Sequence, residues 1–170
     1  MKDFQNLIQD ELKTMYCVET ELQHLMPEMV KGARNPKLKE LFEKFQGQVP
    51  KQIERLQEIG HLVGVDFADA ECEAMKGMVK ECKKILNRNY LDQVLDAALI
   101  SMLQKIKHYE IALYGVLKSF ARHLKMKEME ALLGESSKEE KEADKLLTDL
   151  AMGSLFGGGI NSEACKRRSA

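Results

Sequence analysis

Apolar residues recur every three or four positions along almost the entire chain, and no stretch alternates with period two. The pattern predicts a first helix over about Phe4 to Val30, with a seam of Ile8, Leu12, Met15, Leu22, Met26 and Met29. Gly32 and the Asn35-Pro36 pair end it and open a second helix, about Pro36 to Val63, which stops near Gly64. A third long helix reads from about Tyr90 to Leu124. A fourth follows a very short turn and runs from about Lys127 to Met152. Between the second and third lies a long connection, Val65 to Asn89, with a helical stretch of its own over roughly Asp69 to Leu86.

Short, long, short connections between four amphipathic segments predict an all-α, ferritin-like four-helix bundle. It is built of two antiparallel helix hairpins, with a short extra helix in the long crossover. Residues 1–152 would form this bundle. Residues 153–170, GSLFGGGINSEACKRRSA, cluster glycines without periodicity and predict a flexible tail. The basic triplet Lys166, Arg167 and Arg168 in that tail is too short for an address or a nucleic-acid patch, and reads as solvated.

Composition narrows the function classes. The chain has 170 residues, 44% hydrophobic and 31% charged, which suits one domain with a sizeable core. With 26 basic and 27 acidic residues the formal net charge is -1. That balance argues against a protein that works by coating nucleic acid or an anionic membrane. No apolar run approaches the roughly 20 residues needed to span a bilayer. The opening MKDFQNLIQDELK begins directly in helix pattern without the apolar stretch of an export signal, so a cytoplasmic location is expected. Cys17, Cys72, Cys82 and Cys165 lack zinc-type spacing and read as free thiols.

The seams carry the candidate chemistry. Glu19 stands mid-seam on the first helix, between Met15 and Leu22. On the third the seam runs Leu99, Leu103, Ile106, Glu110, Leu113, Leu117, Phe120; on the fourth, Met129, Leu133, Ser136, Glu140, Ala143, Leu147, Leu150. Carboxylates converging at one core level need a cation or shared protons to coexist. Di-iron and di-manganese bundles meet that need with metal, using one Glu from each of two helices and Glu-x-x-His from the others. Oxygen ligands suit iron or manganese. A one-position slip of the seam would instead carry a glutamate to the surface.

The second helix breaks the pattern. Its seam reads Leu38, Leu41, Phe45, Gln48, Gln52, Ile59, with no carboxylate at mid-height, and Pro50 predicts a kink. Gln48 and Gln52 can hydrogen-bond a carboxylate but are poor iron ligands. Lys107 sits one turn before Glu110 at the seam's edge, and a lysine aimed at carboxylates does electrostatically what a metal does. His108 is rotated away from Glu110's face, and His24, His61 and His123 read as surface residues.

The stretch DAALISMLQKIKHYEIALYGVL, residues 96 to 117, resembles the YciF/YciE-like family of ferritin-like bacterial stress proteins. Cys72-Glu73-Ala74-Met75 with Gly77, Gln52 with Glu54-Arg55-Leu56, and Glu139-Glu140-Lys141 with Ala143-Asp144 extend the resemblance over nearly the whole chain. The resemblance implies a homodimeric ferritin-like bundle with a candidate di-metal site and no settled activity. It places Glu19, Glu110 and Glu140 at carboxylate positions of that site, with Asp144 on an adjacent face. Relatives usually carry glutamate where this chain has Gln48 and Lys107, and histidine where it has Phe45. Such replacements shift the site's formal charge by about three units, a large change for a cavity meant to hold two divalent ions.

The leading expectation is therefore a non-enzymatic homodimer with a degenerate metal site, in which Lys107 neutralises the glutamates. The alternative is a protein that binds iron or manganese through Glu19, Glu110 and Glu140, with His108 or Asp144 nearby, and acts as an oxidase or peroxide scavenger. A third reading makes the Met-rich seams, Met75 and Met78 among them, a docking surface for a partner helix.

Overall fold

The computed structural model describes residues 3–154 and 157–166. Helix α1, Phe4–Gly32, starts at a reciprocal cap: the Asp3 carboxylate accepts from the Asn6 N–H, and the Asn6 side chain accepts from the Asp3 N–H. Helix α2, Pro36–Val63, starts at Asn35, whose Oδ1 accepts from Lys37 and Leu38, with Pro36 in the first turn. It ends at Gly64, whose φ of 68° is the left-handed conformation glycine supplies at helix ends. Both helices run on through an internal proline, Pro27 and Pro50 respectively.

Helix α3, Glu73–Leu86, lies in the crossover and is capped by Cys72. It starts four positions later than the pattern suggested, because the segment from Asp66 to Glu71 is irregular, with a turn at Ala68 and Asp69, before the helix begins. Helices α4, Asp92–His123, and α5, Lys127–Met152, complete the set. The turns joining α1 to α2 and α4 to α5 are only a few residues long, so each pair is an antiparallel hairpin. Helix α1 packs on α2 and α4, and α5 packs on α4 and α2, which closes a four-helix bundle; α3 lies against α1 and α4.

Asp96 ties the hairpins together. It is nearly fully buried, and its two carboxylate oxygens accept from the backbone N–H groups of Arg34 and Asn35, each at 2.8 Å. Those amides belong to the turn between α1 and α2, where without Asp96 each would lack its partner at a cost of about 1–3 kcal/mol.

Beyond α5 the sequence pattern suggested only loop. Instead Gly153–Ser154 (β1) pairs antiparallel with Gly157–Gly158 (β2), and a short helix, α6, Ile160–Cys165, packs against α4 and α5. Six residues are too few to show a period, and Ile160 is the one buried residue of α6. Lys166 is exposed; Arg167 and Arg168 lie outside the described residues. Among the described residues no helix is long and apolar enough to cross a membrane.

Candidate functional site

The seams of α1, α4 and α5 face one another, so their mid-seam glutamates meet. Glu19, Glu110 and Glu140 each present an oxygen within 4.8 Å of the others, in a region closed to solvent. The apolar residues one turn away on each helix, Met15, Ile106 and Ala143 among them, are buried as well. Water cannot screen the carboxylates there.

Lys107 fills the space between two of them. Its side chain is 2% exposed, and Nζ lies 2.5 Å from Glu140 Oε2 and 3.0 Å from Glu110 Oε2. On its other side the Phe45 ring has its centroid 6.0 Å from Nζ, within cation–π reach. The sequence placed Lys107 on the seam's edge; the long side chain carries its ammonium from there into the core. Burial works against the ammonium, but Glu110, Glu140 and Glu19 outweigh it and hold its pKa above the usual lysine value.

Helix α2 contributes Gln52 rather than Gln48. Its buried face is Leu38, Phe42, Phe45, Val49, Gln52, Leu56 and Ile59, so Leu41 and Gln48, one position earlier, sit half-buried at the margin. Gln52 Nε2 donates to Glu140 Oε1 at 2.5 Å and to Glu139 Oε2 at 3.1 Å. Glu139 in turn accepts two parallel hydrogen bonds of 2.8 Å from the Arg55 guanidinium, which also reaches Ser136 Oγ. A polar chain thus runs inward from Arg55 through Glu139, Gln52 and Glu140 to Lys107 and Glu110. Arg55 stands three residues after Gln52, on the same helix face, and that spacing was the available signal for it.

Tyr114, one turn beyond Glu110, is fully buried and donates to Glu19 Oε1 at 2.6 Å. The seam read from sequence passes through Leu113, one position earlier, which hid this role. Burial, then Glu19, pushes the Tyr114 hydroxyl well above its usual pKa, so it remains a donor. Burial, then Glu140, raises the Glu19 carboxyl to about 8, against the pull of Lys107. The same two causes raise Glu110 well above the carboxylate range. Among the described residues Glu19 Oε2 and Glu110 Oε1 have no hydrogen-bond partner, and neither has the Gln52 carbonyl oxygen.

Asp144 and His108 stay outside the cluster. Asp144 is half-buried, accepts from Gln104 Nε2 at 3.2 Å and faces His108 Nε2 at 3.4 Å, while the His108 side chain is 66% exposed. Glu-x-x-His spacing occurs at Glu21–His24 and Glu58–His61, yet both histidines are exposed and bring no imidazole to the core. Met75 is buried and Met78 half-buried against the core, so the crossover methionines pack inward.

The donor set decides how well two metal ions fit. Three carboxylates are present, but the groups facing them are an ammonium, an amide N–H and a phenol O–H. All three are hydrogen-bond donors aimed at the oxygens that metal ions would need. An ammonium 2.5 Å from Glu140 also repels a divalent ion placed there. This core does not fit a di-metal centre.

Fold and core together define a four-helix bundle with a lysine-neutralised carboxylate cluster. Residues 3–162 match the model of the DUF892 family, a domain of unknown function, and the chain belongs to that family. It is 31% identical over 156 residues to the protein YciF of Escherichia coli K12, covering 91% of this chain and 94% of that protein. The crystal structure of that E. coli stress protein superposes with a TM-score of 0.87, over 98% of this chain and all of the other. YcfI of Rhodopseudomonas palustris, designated a candidate structural protein, gives a TM-score of 0.83 at 29% identity, over 86% and 94% of the two chains. A Xanthomonas campestris protein at 20% identity shares the fold, with a TM-score of 0.68 over 85% of this chain and 88% of that one.

Proposed function

We propose that this chain is a non-enzymatic, stress-associated ferritin-like protein that acts as a homodimer in the cytoplasm, its di-metal site replaced by an internal ion-pair network. The observation that carries the reading is Lys107 Nζ seated between Glu110 and Glu140. The ammonium supplies the positive charge that the carboxylates require, so the bundle closes without a metal. Gln52 and Tyr114 complete the network as donors. The likeness to a stress protein and to a candidate structural protein supports a role through the folded bundle itself rather than through turnover.

The competing reading keeps Glu19, Glu110 and Glu140 as ligands of iron or manganese in an oxidase or peroxide scavenger, on the ground that their oxygens converge. A kinetic assay separates the two. With ferrous ion and hydrogen peroxide supplied in large molar excess over the chain, the protein is expected to turn over neither faster than the free ion does. An acceleration that Glu110→Ala abolishes would establish the competing reading. Light scattering on the eluting protein is expected to give twice the chain mass, and a single-chain mass would remove the homodimer from the proposal.

A further inference from the structure

Helix α1 and the segment entering α3 are held in register by two contacts. The Tyr16 and Phe67 rings stack with centroids 4.3 Å apart and planes inclined by 12°. One turn earlier on α1, Lys13 Nζ meets Asp69 Oδ1 at 2.6 Å. The same alignment brings Cys72 to Cys17, whose sulfur is faced by the Cys72 backbone N–H. Both cysteines are free thiols, and each is 5% exposed.

Cys72 occupies a position that favours chemistry at sulfur. It caps α3, its Sγ accepting the Met75 N–H at 3.4 Å, and the Tyr109 hydroxyl lies 3.5 Å from the same sulfur. Negative charge developing on sulfur is stabilised at a helix N-terminus and by a neighbouring O–H that donates a hydrogen bond to it. The Tyr109 hydroxyl is pushed above its ordinary pKa by burial and by Cys72, so it keeps its proton. Cys82 is fully buried and Cys165 is exposed on the short terminal helix, and neither has such surroundings.

We propose that Cys17 and Cys72 form a reversible redox pair, a disulfide site closed by hydrogen peroxide. In the first step the Cys72 thiolate attacks one peroxide oxygen. The O–O bond breaks, Cys72 becomes a sulfenic acid, and the departing hydroxide takes a proton to leave as water. In the second step the Cys17 sulfur attacks the Cys72 sulfur, the S–O bond breaks, and a second water leaves with the Cys17 proton. Two thiols and one peroxide thus become one disulfide and two waters, and a dithiol reductant reverses the result. The bond would fasten the crossover to α1 two residues before Glu19, using none of the buried carboxylates.

The test uses the full chain carrying Cys165→Ser, which removes the exposed thiol. The folded protein is treated with a small excess of hydrogen peroxide, then denatured and alkylated without reductant. Peptide mass mapping is expected to show Cys82 alkylated and Cys17 and Cys72 unmodified but joined, with both released and alkylated after dithiothreitol. Oxidation is expected to raise Tm by roughly 5–10 °C, since the bond constrains the unfolded chain between 17 and 72. Cys17→Ser and Cys17→Ala should each abolish both the linked peptide and the oxidant-dependent shift. Full alkylation of Cys17 and Cys72 after peroxide would overturn the proposal. So would sulfinic acid at Cys72 with Cys17 free, or a link between two chains.

Discussion

Replacing Lys107 with Met destabilises the folded chain on the order of 3 kcal/mol, because it removes the cation paired to Glu110 and Glu140 and leaves Glu140 uncompensated. Methionine approximates the length and volume of the lysine stem, so the loss would reflect charge rather than a cavity. Urea denaturation at neutral pH checks it. The companion Lys107→Met/Glu140→Gln double variant should recover much of the loss, since both members of the pair then become neutral. If the single variant unfolded at the wild-type urea concentration, the ammonium would not be seated among the carboxylates.

The second large effect concerns protons on Glu19. Its folded pKa of about 8 lies above its ordinary value of 4.5, so the folded state holds a proton that the unfolded state has released. The stability contributed by that proton is complete below about pH 4.5 and is lost as pH rises through about 8. Glu110, also raised, contributes with the same sign. Glu19→Gln mimics the protonated group, can still accept the Tyr114 hydrogen bond, and needs no proton. It is therefore expected to change stability little at pH 4.5. At pH 7–8 it should stabilise the fold on the order of 2–3 kcal/mol, flattening the decline of stability with pH. Denaturation of both proteins across that range provides the measurement. Parallel curves for variant and wild type would show that Glu19 releases its proton in the folded state as readily as in the unfolded one.

Most of the architecture was legible because four long helices impose a strong period, and their ends carry readable signals such as Asn35-Pro36 and Gly64. Glu19, Glu110 and Glu140 were legible for the same reason: a carboxylate at an apolar position of a regular seam stands out. On α2 two adjacent rows, Leu41–Gln48 and Phe42–Val49, both look apolar enough to be the seam. Sequence pattern could not choose between them, and the structure selects Phe42–Val49 with Gln52. Lys107 lay one position from the seam, where only the reach of its side chain, and not its backbone register, determines where the charge goes. Tyr114 and the Arg55–Glu139 pair depend on which helices face each other across the bundle, which one sequence does not encode locally. Helix α6 depends on docking Ile160 against the finished bundle, a contact without a local signature.

The two thermodynamic predictions are linked through one cluster. Removing Lys107 deprives Glu140 of its counter-charge, whereas removing the proton requirement at Glu19 relieves a cost the lysine only partly offsets. Opposite signs from neighbouring substitutions are characteristic of an under-neutralised buried cluster, and a peripheral salt bridge, typically worth less than about 1 kcal/mol, would produce neither.

Metal content tests the central claim most directly. Protein purified without chelator and analysed for iron and manganese is expected to hold well under one equivalent of the two together per chain, because the Lys107 ammonium and the Gln52 amide already engage both oxygens of Glu140 and one of Glu110. Two equivalents per chain would contradict the account and restore Glu19, Glu110 and Glu140 as ligands.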